Sequence, residues 1–127
     1  MKSRSALCLA VAGLLAATGA QAHHSRAMFD LQKRVSMTGT VMRYDWAQPH
    51  VYVRVASNEN GKEEVWVLET RSPGVLARTG WNFRSLAVGD KVDVVMAPLT
   101  DGRHGGLLIT VKTPSGKLLS GEGRTAE

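Results

Sequence analysis

Short segments in which apolar and polar residues alternate recur along this chain, and their period limits its fold more than any other feature. Residues 35–41 and 51–56 are the first two segments of this kind. A period of two places successive side chains on opposite faces of an extended strand, so each segment predicts a half-buried strand. In the third segment Val65 and Val67 share one face, and we expect Trp66, on the other face, to be exposed or covered by the preceding chain. The later segments are 64–69, 91–96 and 107–111, with a short pairing strand at 117–119.

The period changes once, between the third and fourth predicted strands. Ser72 followed by Pro73 is typical of a helix start, and Gly80 suits the residue after a helix end, so residues 73–79 predict a helix of about two turns. Strands in this order, with the helix between the third and fourth, have the topology of a small five-stranded OB-like barrel. Gly39, inside the first strand, fits the bends that such barrels need. A small open β-sandwich of the same strands is the alternative.

The first 22 residues have the three parts of a secretory signal peptide. Lys2 and Arg4 form a positive start, and the apolar stretch that follows is too short to span a bilayer. Ala20-Gln21-Ala22 then offers the small residues that a signal peptidase needs, so cleavage after Ala22 would make His23 the first residue. Cleavage after Ala20 would make it the third. We therefore expect a periplasmic protein with a signal peptide at 1–22, an extended lead-in at 23–34, a barrel at 35–119 and a polar tail at 120–127.

The composition of the predicted mature chain excludes several classes of site. The single cysteine, Cys8, lies in the signal segment, so the mature chain has no disulfide and no thiolate for catalysis or zinc binding. Without the two basic residues of that segment, the 16 Lys and Arg fall to 14 against 11 Asp and Glu, a net charge of +3. These basic residues are scattered, so no nucleic-acid partner is expected. No further membrane span and no known catalytic or phosphate-binding motif appears, so we expect a non-enzymatic domain.

Four histidines are the main chemical groups, and two of them form the doublet His23-His24. If His23 is the first residue, its α-amine and its imidazole can chelate one metal ion, and nitrogen ligands of this kind suit copper. If it is the third residue, the terminal amine, two backbone amides and the imidazole form another copper chelate. The alternative is a solvated doublet that scavenges metal weakly.

The predicted barrel would bring the other two histidines to one face. In an OB-type barrel the loop between the first two strands and the loop between the last two border the same binding face. Trp46 and His50 lie in the first loop, and Arg103 and His104 in the second, so these four side chains could converge. We expect Trp46 and Arg103 to contact a bound protein, peptide or glycan. The alternatives are packing for Trp46, loop closure for His50 and a solvated loop tip for His104.

A shared metal site, most simply for copper, would comprise His23, His24, His50 and His104. The lead-in has about twelve residues and could double back to the loops if Met28 and Phe29 anchor it there. The acidic residues around the third strand are expected on a solvated face instead. They are Glu63, Glu64 and Glu69.

Short motifs spread over nearly the whole mature chain form a specific pattern. They are His23-His24-Ser25, Phe29-Asp30, Gly39-Thr40-Val41, Trp46 with Pro49-His50, Trp66 with Glu69, Ser72-Pro73, Gly80-Trp81, and Leu86 with Gly89-Asp90. This pattern resembles an uncharacterised family of short periplasmic bacterial proteins, catalogued as a domain of unknown function. Gln48 departs from it, since the family pattern has Asn in the W-x-N-P-H segment. The resemblance implies export and a small β domain, and it implies no activity.

Overall fold

A computed structural model describes residues 26–124 of the chain. The predicted signal peptide, His23, His24 and residues 125–127 lie outside this range. Within it, the elements follow in the order β1 (Val35–Asp45), β2 (Tyr52–Ser57), β3 (Glu64–Glu69), α1 (Pro73–Ala77), β4 (Lys91–Pro98), β5 (Gly105–Lys112) and β6 (Leu118–Ser120). No helix in the described range is long and apolar enough to cross a membrane.

The first five strands close into a barrel. Around the ring, β1 pairs with β2, β2 with β3, β3 with β5, β5 with β4, and β4 with β1. Every pair is antiparallel except β3 and β5, which run parallel, and β6 extends the sheet beside β5. This ring, with α1 between β3 and β4, confirms the predicted OB-like barrel, and the β3–β5 pairing excludes the open sandwich.

The barrel interior is filled by the apolar side chains that alternate along the strands. The fully or almost fully buried set from the strands is Met37, Val41, Val53, Val55, Leu68, Val92, Val94, Met96, Leu108 and Val111. Leu76 of α1 and Trp81 join this core, and the Trp81 indole N–H donates to the Ser120 carbonyl at 2.9 Å. Burial also raises the pKa of Tyr44, whose ring lies 6.3 Å from that of Trp81. The apolar positions that alternate along the strands therefore face the barrel interior, as predicted.

The predicted end of the first strand and the predicted start of the polar tail need correction. Strand β1 extends to Asp45, well beyond the predicted 41, because a bulge between Val41 and Arg43 lets its pairing with β2 continue. Residues 120–124, predicted as a polar tail, pack on the barrel. The backbone N–H of Gly121 donates to the carbonyl of Ile109 at 2.9 Å, a contact that composition alone does not indicate.

Two glycines let neighbouring strands approach closely. A Cβ on Gly39 would lie 2.5 Å from the carbonyl oxygen of Ala56, which explains the glycine inside β1. A Cβ on Gly106 would lie 2.5 Å from the carbonyl oxygen of Ala97 and 3.0 Å from the sulfur of Met96. Both neighbours belong to β4, so Gly106 lets β5 approach its antiparallel partner at the residue that also pairs with Leu68 of β3.

We expect Gly106→Ala to lower the free energy of unfolding by about 1–3 kcal/mol, because the added methyl group must displace the Ala97 backbone of β4. The matched control is Gly74→Ala in α1, where a Cβ would meet nothing within 4 Å. That change should be neutral or stabilising by up to about 1 kcal/mol. Urea denaturation of both variants measures the difference, and equal midpoints would contradict the role given to Gly106.

Candidate functional site

The lead-in is anchored to the outside of the barrel at the end of β4. Phe29 forms an antiparallel bridge with Leu99, and its buried ring packs against Ala97 and Leu107. The N–H of Asp30 donates to the Pro98 carbonyl at 2.8 Å. The apolar outer faces of β4 and β5 thus hold the segment that directly follows the histidine doublet.

A groove lies between this lead-in and the outer face of β3, and we call it the rim groove. Its volume is about 280 Å³. Its walls combine apolar side chains with three charged or titratable ones, Glu69, Arg103 and His104. The lining residues are Met28, Phe29, Val67, Glu69, Leu99, Arg103, His104, Gly105 and Gly106. The groove therefore brings the lead-in, β3 and the loop between β4 and β5 together.

Glu69 binds two side chains from the start of β2. Its Oε1 lies 2.7 Å from Nδ1 of His50, and its Oε2 accepts a hydrogen bond from the Tyr52 hydroxyl at 3.1 Å. Tyr52 and Glu69 are direct partners in the β2–β3 register, which places the two carboxylate oxygens toward this strand. Burial, together with the charge and hydrogen bond of Glu69, raises the pKa of Tyr52. Glu69 thus fixes the orientation of the half-exposed His50 ring.

His104 is held at the other carboxylate of β3. Its Nε2 lies 3.4 Å from Oε2 of Glu64, and its ring stacks on Trp66 with centroids 4.9 Å apart and planes inclined by 26°. Val65 and Val67 turn out to be the outward, exposed residues, whereas Trp66 packs against the core. The expectation that Trp66 would lie on the outer side is corrected by this arrangement, because the inner face of β3 holds Leu68 and the tryptophan together.

Trp46 and Arg103 belong to different surroundings. Trp46 packs against the core and lies 6.1 Å from the Tyr44 ring, toward the end of β1. Arg103 lines the rim groove, and its Nε lies 2.7 Å from Oδ2 of the exposed Asp101. The hydrogen bonds from Arg103, its backbone N–H first, lower the pKa of Asp101. Of the two predicted ligand-binding residues, Arg103 therefore lies in the groove, and Trp46 has the packing role that we left open.

The structure does not bring the two described histidines together, because they pair with different carboxylates and only His104 lines the rim groove. His50 pairs with Glu69 and His104 with Glu64, at opposite ends of β3. Five residues of strand separate these carboxylates by about 16 Å, measured along the backbone. Among residues 26–124, no three His, Cys, Asp or Glu side chains cluster closely enough to hold a metal ion together.

The described side chains nevertheless offer oriented metal ligands. With the proton of His50 on Nδ1, facing Glu69, the lone pair of Nε2 is available, and this is how metal-binding histidines are commonly oriented. Met28 adds a thioether sulfur to the groove wall, a soft ligand that favours Cu(I). Glu69 was predicted on a solvated face, and this is wrong, because its side chain is largely buried against His50 and Tyr52. Met28 was predicted only as an anchor of the lead-in. The pairing of Glu69 with Tyr52 across the predicted β2–β3 hairpin was the one signal available for Glu69.

Comparison with known proteins gives a family without an activity. A family model described as a family of unknown function, DUF6152, matches residues 11–110. The matched range takes in β1 to β4, α1 and most of β5. A search of curated proteins finds no match.

We expect Glu69→Gln to lower the pKa of Tyr52 toward its ordinary value, because the change removes a negative charge beside the phenol. Burial, the largest cause, remains, so the pKa should stay raised in part. The chain has two tyrosines, so phenolate absorbance in a Tyr44→Phe background reports Tyr52 alone.

The control for this titration is Glu63→Gln, which removes the same charge from an exposed position just before β3. It should leave the Tyr52 pKa unchanged. An unchanged Tyr52 pKa in Glu69→Gln would show that Glu69 does not bind the phenol.

Proposed function

The chain belongs to the DUF6152 family, whose function is unknown, and we propose that this member is an exported periplasmic domain that binds copper. The proposed ligands are the α-amine and imidazole of His23 together with Nε2 of His50. His24 and Met28, from the lead-in, are the further proposed ligands, whereas His104, held at the other end of β3, would not reach the ion bound by His50. Barrel, lead-in and loops then act as one scaffold for the metal.

The observation that carries this proposal is the 2.7 Å contact between His50 Nδ1 and Glu69 Oε1. A carboxylate in this position fixes the tautomer and the ring orientation of an imidazole and makes its second nitrogen a better ligand. Tyr52 restrains the same carboxylate from its other oxygen. The pair is half-exposed, so a metal ion can reach Nε2 without any opening of the barrel.

Support for the participation of His23 comes from the position of Arg26. The Arg26 guanidinium contacts Glu122 at 3.0 Å, and the adjacent Gly123 lies against the Arg71 side chain. The Arg71 carbonyl accepts a hydrogen bond from the N–H of Val51, the residue after His50. Arg26 therefore lies at the end of the barrel that carries His50, and a chain of three residues spans at most about 11 Å, which is the reach the proposal requires of His23.

The ligand types select copper over the alternatives. An α-amine and imidazoles favour Cu(II), which also has the highest affinity among the divalent first-row metals. The Met28 thioether favours Cu(I), so the groove offers ligands for both oxidation states. The absence of cysteine from the mature chain removes the sulfur ligands of common structural zinc sites.

The proposal predicts one tightly bound Cu(II) per chain in protein purified from the periplasm, with mass spectrometry fixing the first residue. His50→Ala and Glu69→Gln should each weaken binding by about tenfold or more, because one removes a ligand and the other its orienting partner. Calorimetric titration measures the affinity, and electron paramagnetic resonance measures the nitrogen ligation.

Glu63→Gln is the matched control for Glu69→Gln and should bind copper like the unmodified protein. A version with one extra glycine before His23 separates the terminal chelate from the assembled site, since it moves the α-amine away from that imidazole. If His50→Ala and Glu69→Gln leave both affinity and spectrum unchanged, copper is bound by the terminus alone and the proposal fails. A chain recovered with residues 1–22 attached would refute export.

A second candidate is a non-enzymatic module that binds a protein, peptide or glycan in the rim groove. The favouring observation is the mixed lining, in which Met28, Val67 and Leu99 form an apolar wall beside the cation of Arg103. Such walls with a few polar groups are typical of ligand-binding clefts.

For this second candidate, Arg103→Ala should abolish binding to an acidic peptide selected from a displayed library. Trp46→Ala should leave the affinity for this peptide unchanged, because Trp46 packs on Tyr44 and does not line the rim groove. Fluorescence anisotropy of the labelled peptide measures both affinities. Equal affinities for Arg103→Ala and the unmodified protein would argue against this use of the groove.

A further inference from the structure

The loop that leads from α1 to β4 presents apolar side chains to solvent. In residues 82–90, here named the Phe83 loop, Phe83 is 62% exposed and Val88 is 72% exposed. Leu86, between them, is buried in the core. The loop thus has an inward anchor and two outward apolar residues, and it shares no residue with the rim groove.

Hydrogen bonds hold this loop in one conformation. The N–H of Asn82 donates to Ser85 Oγ at 2.8 Å, and the N–H of Arg84 donates to Asn82 Oδ1 at 2.8 Å. The Tyr44 hydroxyl donates to the Asn82 carbonyl at 2.8 Å and ties the loop to β1. Because the turn is closed on itself, the outward direction of Phe83 is a built feature of the fold.

One basic side chain lies over the exposed phenylalanine, and two others lie near the start of the loop. The Arg84 guanidinium lies 5.0 Å from the centre of the Phe83 ring. Lys117 Nζ contacts the Gly80 carbonyl at 3.4 Å, and the exposed Arg78 follows α1 directly. Arg84 thus lies at Phe83 itself, Lys117 lies in a cavity wall shared with Asn82 and Ser85, and Arg78 precedes the loop by four residues.

The carboxylates on the elements that pack here are already engaged. Asp90 Oδ2 accepts a hydrogen bond from the N–H of Ala87 at 2.9 Å. Asp45 follows Tyr44 in β1 and lies 2.6 Å from the Nε of Arg43. Asp90 keeps its negative charge and Asp45 is balanced by Arg43, so the three cations leave the surface formed by the Phe83 loop with an excess of positive charge beside its exposed apolar groups.

We propose that the Phe83 loop docks the protein on the surface of a bilayer that contains anionic phospholipid. Phe83 and Val88 would enter the layer between headgroups and acyl chains, while Arg78, Arg84 and Lys117 contact lipid phosphates. Single apolar side chains near cations suit this boundary, because the apolar groups can contact the acyl chains while the cations stay among the charged headgroups. A stable protein partner would instead need a contiguous patch of several hundred Å².

The test is co-sedimentation of the processed protein with vesicles of phosphatidylcholine alone or with about one third phosphatidylglycerol. We expect the partition coefficient to be about tenfold higher for the anionic vesicles and to fall as salt is raised, because salt screens the attraction to the surface. The double variant Phe83→Ser and Val88→Ser should lose about tenfold in partition, since it removes the inserted apolar groups.

Val65→Ser is the matched control, because Val65 is 45% exposed on β3 and lies outside the Phe83 loop. It should bind the anionic vesicles like the unmodified protein. The variants change exposed side chains, so equal thermal midpoints confirm that they fold. Absence of binding, equal binding to neutral vesicles, or full binding by the double variant would each overturn the proposal. Copper affinity should be the same in all of these proteins.

Discussion

The parallel pairing between β3 and β5 is the interaction on which the rest of the molecule depends. It joins Val67 to Gly105, Leu68 to Gly106 and Glu69 to Leu107, and it turns an open sheet into a closed barrel. The two parallel strands can lie this close because Gly105, the first residue of β5, has no side chain. A Cβ at Gly105 would meet the Val67 carbonyl at 3.0 Å. Closure therefore depends on a glycine that loop composition alone would not distinguish from a turn residue.

The β3–β5 pairing also positions the residues of the candidate functional site. It puts Glu69 beside Leu107, whose outer face receives Phe29 of the lead-in. One strand end thus carries a carboxylate that orients His50, while the neighbouring surface holds the chain that follows the histidine doublet. The rim groove exists because these two elements stand on either side of the seam. The Phe83 loop depends instead on Leu86, which fixes it to the core away from that groove.

Much of the fold could be predicted from local pattern, because alternation reports which strand face is buried. The five strands, the helix and their ring order were predicted correctly, as was the need for glycine at Gly39. Sequence could not distinguish the two faces of β3, since Val65 and Trp66 are both apolar and burial depends on closure with β5. The sequence could not identify Glu69 as the partner of His50 either. These residues are far apart in the chain, and only the exact β2–β3 register brings them into contact. Residues 120–124 look like a tail by composition, yet they pair with backbone groups that β5 leaves open.

The most direct test of a copper site between the terminus and the barrel is the loss of backbone amide signals on addition of Cu(II) to isotope-labelled, processed protein. Paramagnetic broadening falls steeply with distance, so it reports which amides lie near the ion. A copper site at His50 predicts that the amide signals of Val51 and Thr70, which are adjacent to His50 and Glu69, disappear with the first equivalent of Cu(II). Those of Gly61, in the distant β2–β3 turn, and Val88 should persist. Broadening confined to residues before Arg26 would contradict it.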